Sequence, residues 1–126
     1  MTWRKEPPRL KPGAPNVLIV LLDDIGFGQA DTFGGECRTP TLTKLWQTGI
    51  AYNAFHTTAI SSATRASLLT GRNHHAVSMG LLPQKLMAGE FPGYTGRLQP
   101  QDGTIAEYMR ARGYSTYMLG KWHLTP

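Results

Sequence analysis

Ser61-Ser62-Ala63-Thr64-Arg65-Ala66-Ser67-Leu68-Leu69-Thr70-Gly71-Arg72 is the stretch around which the rest of the chain is organised. It reads as a helix that opens at a pair of hydroxyls and closes at Gly71. Ser61 or Ser62 is placed to cap the first turn, and Ala66, Leu68 and Leu69 supply apolar packing. Arg65 follows Ser61 by one helical turn, so both side chains can face one place. The unpaired N–H groups and positive dipole end of a helix start favour anions. A hydroxyl, a helix start and a guanidinium together suit a tetrahedral oxyanion such as sulfate or phosphate. The plainer reading is an ordinary Ser/Thr-capped amphipathic helix.

Upstream, Asn16-Val17-Leu18-Ile19-Val20-Leu21-Leu22 is a continuous apolar run with β-branched residues. It predicts a strand buried on both faces, as in a parallel sheet covered by helices. The run stops at Asp23-Asp24, with Gly26 and Gly28 following. Ligand sites in open α/β sheets lie at the carboxyl ends of strands. Two adjacent carboxylates there repel unless a cation lies between them. Oxygen donors of this kind suit Ca²⁺ or Mg²⁺. A turn or helix-cap pair is the alternative.

Further along, Thr39 and Pro40 open a predicted helix that Gly49 closes, with Leu42, Leu45 and Trp46 on one face. Residues 50–56 read as a second strand, leading to the Ser61 helix. Residues 72–102 read as irregular, and Asn73, His74 and His75 as surface or pocket-rim residues pointing different ways. Asp102 is expected to cap a helix over 103–112 that Gly113 ends, with Ile105, Met109 and Tyr108 turned inward. Residues 114–119 read as a third strand, with Gly120-Lys121-Trp122-His123 at its carboxyl end. If that strand continues, Lys121 and His123 share a face.

These segments resemble the type I sulfatases. The signature Cys/Ser-x-Pro/Ala-x-Arg falls on Ser61, Ala63 and Arg65, and the Leu-Leu-Thr-Gly-Arg tail agrees as well. The Asp23-Asp24 segment and Gly120-Lys121-Trp122-His123 match two further family motifs, in the family's order. The resemblance implies a partial alkaline-phosphatase-like α/β sandwich, mainly parallel sheet flanked by helices. Residues 1–15 would be a flexible lead, set by Pro7, Pro8, Pro12 and Pro15, and 16–126 the N-terminal, incomplete part of the catalytic domain.

It further implies hydrolysis of small-molecule sulfate monoesters. Residue 61 would be oxidised to formylglycine by a formylglycine-generating enzyme, and one hydroxyl of the hydrated aldehyde would attack sulfur. Asp23, Asp24 and residue 61 would hold the cation, usually Ca²⁺, with Mg²⁺ the second choice. Arg65 would hold the residue-61 side chain, Lys121 would bind sulfate oxygens, and His123 would position or deprotonate a hydroxyl. Most of the family encodes Cys where this chain has Ser61. A Ser-type precursor, a substituted Cys and an inactive copy all fit. Family members are also several times longer. The resemblance therefore implies a missing C-terminal part, with weak metal binding and negligible turnover by these residues alone. Two other readings are a phosphatase or phosphonate hydrolase of the same superfamily using Ser61 directly, and a non-catalytic anion-binding remnant.

Composition bounds these readings. Apolar residues at 40% against 17% charged place the chain among globular proteins. The net charge of +5 comes from scattered basic residues, which argues against nucleic acid and for anionic small substrates. The lone Cys37 permits no internal disulfide and reads as an incidental thiol. Residues 1–15 lack the apolar core of a signal peptide, and no run is long enough to span a bilayer, so the expected location is cytoplasmic, off the membrane.

Overall fold

Helix α2 (Ser61–Thr70) is where the chain buries itself most completely. The computed structural model describes residues 9–84 and 91–126. Its other helices are α1 (Pro40–Thr48) and α3 (Ile105–Ala111), with short 3₁₀ turns between. The chain divides into two units, Met1–Leu18 with Thr58–Pro126, and Ile19–Thr57.

In the larger unit, α2 starts from Ile60, whose extended backbone (φ −120°, ψ 135°) makes it the capping position. The expected hydroxyl cap is therefore corrected. Ser61 is the first helical residue, and the Ser62 hydroxyl is buried with no hydrogen-bond partner among the described residues. The turn is stitched instead by Thr64, whose Oγ1 accepts the Thr58 N–H at 3.2 Å and lies 2.6 Å from the Thr58 hydroxyl. Gly71 ends the helix as expected, at φ 67°, with its N–H donating to the Ser67 carbonyl.

Ala66 packs with Val77, Met79 and Leu124 into a core cluster, flanked by the partly buried Leu69 and Leu98. Leu68, expected inside, faces outward and is half exposed. Backbone bonds tie the irregular stretches around this cluster: Met79 N–H to the His74 carbonyl, Gly80 N–H to Gly93, Gly96 N–H to Ser78, and Leu98 N–H to Leu124. A Cβ on Gly80 would collide with the Gly93 carbonyl and the His75 ring, so the chain approaches itself there as only glycine allows.

The start of α3 also corrects an expectation. Gly103 has φ 65° and cannot be helical, so the cap moves to Thr104. The Thr104 N–H donates to Glu107 Oε2 at 2.7 Å, and its hydroxyl accepts the Glu107 N–H, a reciprocal capping box. Asp102 is buried and accepts the Gln99 N–H at 2.7 Å, ending the preceding turn. Ile105 and Tyr108, expected to turn inward, are substantially exposed. Arg112 is the C-cap, and Gly113 beyond it has φ 95°.

The unit Ile19–Thr57 is held by polar contacts. Helix α1 runs from Pro40 to Thr48 with Thr39 and Gly49 as its caps, as read from sequence. Thr39, however, spends its hydroxyl on Asp31 Oδ1 at 2.6 Å, and its N–H donates to the same oxygen at 2.8 Å. The hydroxyls of Thr32 and Thr43 lie 2.8 Å apart. A single parallel bridge joins Ala30 and Cys37. Ala30 is the buried residue of this unit among those described, and Cys37 is exposed with a free thiol.

The three expected strands, 16–22, 50–56 and 114–119, are not strands here. Among the described residues the Ala30–Cys37 bridge is the sole β pairing, so the parallel sheet flanked by helices is not seen. A strand exists by bonding its N–H and C=O groups to a neighbour about 4.8 Å away. Apolar, β-branched sequence sets the preference but supplies no partner. Val17 (59%), Leu18 (86%), Tyr117 (90%) and Leu119 (97%) stand exposed instead. Pro7 and Pro8 of the proposed lead, and Gly89 of the irregular stretch, lie outside the described residues.

Candidate functional site

The first residue of α2 meets the end of the chain. Ser61 Oγ lies 2.9 Å from His123 Nδ1, across 62 positions of sequence. Two anchors bring the segments together. Leu124, fully buried, pins the residue after His123 into the core. Arg65, one turn along α2 from Ser61, donates from its guanidinium to the Lys121 carbonyl at 2.7 Å. Arg65 is itself buried, at 8% exposure. A buried cation needs such a partner, and a charge-assisted hydrogen bond is stronger than a neutral one. Arg65 thus ties down the segment that carries His123.

His123 is held in a left-handed backbone conformation, φ 56°. For a residue with a Cβ this costs roughly 1–2 kcal/mol, and such strain gathers at sites where a side chain must be aimed. It also breaks the alternation expected of a continuing strand. Lys121 meets Arg65 through its carbonyl and keeps an exposed side chain. The other imidazole nitrogen, Nε2, lies 3.1 Å from Gln84 Oε1. Nothing in the sequence marked Gln84, which sits in an irregular stretch with no periodicity and no motif. Leu124 was missed too, although an apolar residue directly after Gly120-Lys121-Trp122-His123 is a signal for an anchor.

His74 and His75 were read as rim residues pointing different ways. Their rings are in fact packed, with centroids 4.1 Å apart, because a 3₁₀ turn over His74–Val77 draws them together. His74 bonds the Met79 carbonyl through Nδ1 at 3.0 Å. It lines a cavity of about 200 Å³ with Thr58, Ile60, Ala63, Met79 and Leu81, so its rim position stands.

Asp23 and Asp24 belong to the unit Ile19–Thr57. Both are exposed, and Asp24 has φ 55°, a second acidic residue's kink directly after an apolar run. Their carboxylates are hard oxygen donors that fit part of a Ca²⁺ or Mg²⁺ shell; Ca²⁺ takes about six to eight oxygens. Among the described residues no group of three or more His, Cys, Asp or Glu is gathered as a metal site.

Chemically, the Ser61–His123 pair has the reach of a hydroxyl and its proton acceptor. It lies at a helix start, whose N–H groups favour an anion. That arrangement brings a hydroxyl, an imidazole and a helix start together at residue 61. The Sulfatase family model matches residues 15–126, and the chain belongs to the sulfatase family. It is 36% identical to an arylsulfatase of Klebsiella aerogenes over 110 residues, covering 87% of this chain and 24% of that protein. It is 38% identical to human arylsulfatase A over 112 residues, covering 87% of this chain and 21% of that protein. An uncharacterized sulfatase of Schizosaccharomyces pombe is 35% identical over 116 residues, with 87% and 21% covered. The chain thus spans about a fifth to a quarter of these relatives' length. No solved structure matches it.

Proposed function

We propose that this chain supplies the attacking oxygen of a sulfuric ester hydrolase acting on small-molecule sulfate monoesters. The observation that carries the reading is the 2.9 Å contact between Ser61 Oγ and His123 Nδ1. It lies within the segments that match the family's motifs. In this reading a modifying enzyme oxidises residue 61 to formylglycine, removing two hydrogens from the CH₂–OH group. Arg65, buried and bonded to the Lys121 carbonyl, holds the residue-61 side chain in place, and the start of α2 draws in the sulfate group. Lys121 binds its non-bridging oxygens, where positive charge stabilises the spread negative charge of the transition state. Water adds to the formylglycine aldehyde to give a gem-diol, and His123 accepts a proton from the diol hydroxyl that attacks sulfur. Asp23 and Asp24, with the residue-61 oxygen, would hold a divalent cation, Ca²⁺ in the first instance. Such an ion orients an attacking oxygen and neutralises charge on the ester. The α/β architecture belongs to the same proposal, with its strands drawn from residues 16–22, 50–56 and 114–119.

A second reading is favoured by the same hydrogen bond. An unmodified serine with an imidazole acceptor is already an activated nucleophile, as a phosphatase or phosphonate hydrolase of this superfamily would need. Mass spectrometry of the peptide holding Ser61, with hydrolysis of matched aryl sulfate and aryl phosphate by the full-length parent protein, separates the two. Loss of two hydrogens with sulfate release and none from Ser61→Ala supports the first. An unchanged mass with preferential phosphate release supports the second. An unchanged mass with neither activity sinks both.

A further inference from the structure

We propose that Gln84 is a positioning residue: its side-chain carbonyl holds His123 in the Nε2–H tautomer, so that Nδ1 is kept as the acceptor for the residue-61 hydroxyl. The inference deepens the proposed function and rests on it only for the use made of that acceptor.

A neutral imidazole carries one N–H and one bare lone pair. His123 has a partner at each nitrogen, Gln84 Oε1 at 3.1 Å from Nε2 and Ser61 Oγ at 2.9 Å from Nδ1. These partners are not equivalent. A carbonyl oxygen can only accept, whereas a hydroxyl can donate or accept. With Oε1, and not the amide NH₂, turned to the ring, the carbonyl decides: the proton sits on Nε2, and the Ser61 O–H donates to Nδ1. The opposite tautomer would set the Nε2 lone pair against the lone pairs of Oε1. It would also make the Ser61 oxygen an acceptor, unable to pass its proton to the ring. Which nitrogen of a histidine carries the proton is commonly set by the bond at the other nitrogen. Here the left-handed backbone of His123 and the buried Leu124 fix where the ring stands, and Gln84 fixes its chemical state.

Gln84 is exposed, so its replacement leaves the core intact. The test is the two-bond ¹H–¹⁵N correlation pattern of His123 in the full chain, at a pH where the ring is neutral in each variant. His123 is assigned by its disappearance in His123→Asn. The wild type is expected to show Nε2–H. Gln84→Glu, which keeps an acceptor, is expected to retain it. Gln84→Leu is expected to lose the exclusive preference, and Gln84→Lys, a donor in the same place, to move the proton to Nδ1. In an active preparation Gln84→Leu is expected to lower kcat roughly fivefold to tenfold, the loss of one neutral hydrogen bond, with KM unchanged and Gln84→Glu restoring it. An Nδ1–H pattern in the wild type, or one that neither Gln84→Leu nor Gln84→Lys alters, overturns the proposal. If the tautomer behaves as described while the full-length parent protein hydrolyses no sulfate ester, the reading of the reaction falls and the part played by Gln84 stands.

Discussion

Helix α2 and the run Val17–Leu22 reverse what their compositions suggest. The helix is rich in hydroxyls and carries a guanidinium, yet Ser62, Ala63, Arg65 and Ala66 are all buried. The run is apolar throughout, yet every residue in it is exposed, from Leu21 at 38% to Leu18 at 86%. Local hydropathy does not decide the difference. A helix satisfies its own backbone and needs only a surface to lie on, which Val77, Met79 and Leu124 provide. A strand must find a partner for its backbone before its side chains can be covered, and this one has no strand pairing among the described residues.

The sharpest way to break that contrast is to truncate one leucine on each side of it. Leu124→Ala, which empties part of the core under α2, is expected to cost about 2–5 kcal/mol in urea unfolding. Leu18→Ala should stay within about 0.5 kcal/mol of the parent. Equal losses would show that the run is covered in solution. A smaller effect sharpens the account of how α2 ends. Gly71 has φ 67° and nothing within 4 Å of a built Cβ, so Gly71→Ala should cost about 1 kcal/mol from backbone strain alone. A neutral outcome in the same unfolding experiment would mean that the helix stop relaxes.

The smallest effect lies at α1. The Thr39 hydroxyl and N–H hold the Asp31 carboxylate below its usual 3.8. A carboxylate lowered in the folded state adds stability above its unfolded pKa, and that stability is lost as pH falls through the folded value. Because Asp31 is exposed, solvent screens the effect, which is expected to be local. The Thr39 amide resonance should titrate with a midpoint below 3.8, and Asp31→Asn should abolish that titration. A midpoint at or above the usual value would remove Asp31 as the brace of the α1 start.

Where the sequence was legible, the signal was covalent or local. Pro40 and Gly49 bound α1, and Gly71 bounds α2, because each restricts the backbone at its own position. The convergence of Ser61 with His123 was readable from motifs, since that pairing rests on residue identity. Capping was less legible: Thr39 caps α1 but spends its hydroxyl on Asp31, the Ser62 hydroxyl is buried, and Asp102 accepts the N–H of Gln99 three residues back. The strands were legible only as preference, because pairing is a relation between distant segments. Gln84 left no trace, since one amide in an irregular stretch has neither period nor neighbour to mark it.

The 62 positions between Ser61 and His123 also have a meaning in time. At about 5–20 residues per second, a ribosome takes roughly 3–12 s to travel that distance. A helix as short as α2 does not persist alone in water for lack of tertiary support. Its arginine therefore waits uncovered until the last residues of this segment emerge. Stalled nascent chains ending before His123 should be cut by trypsin at Arg65, and those extended well past Leu124 should resist.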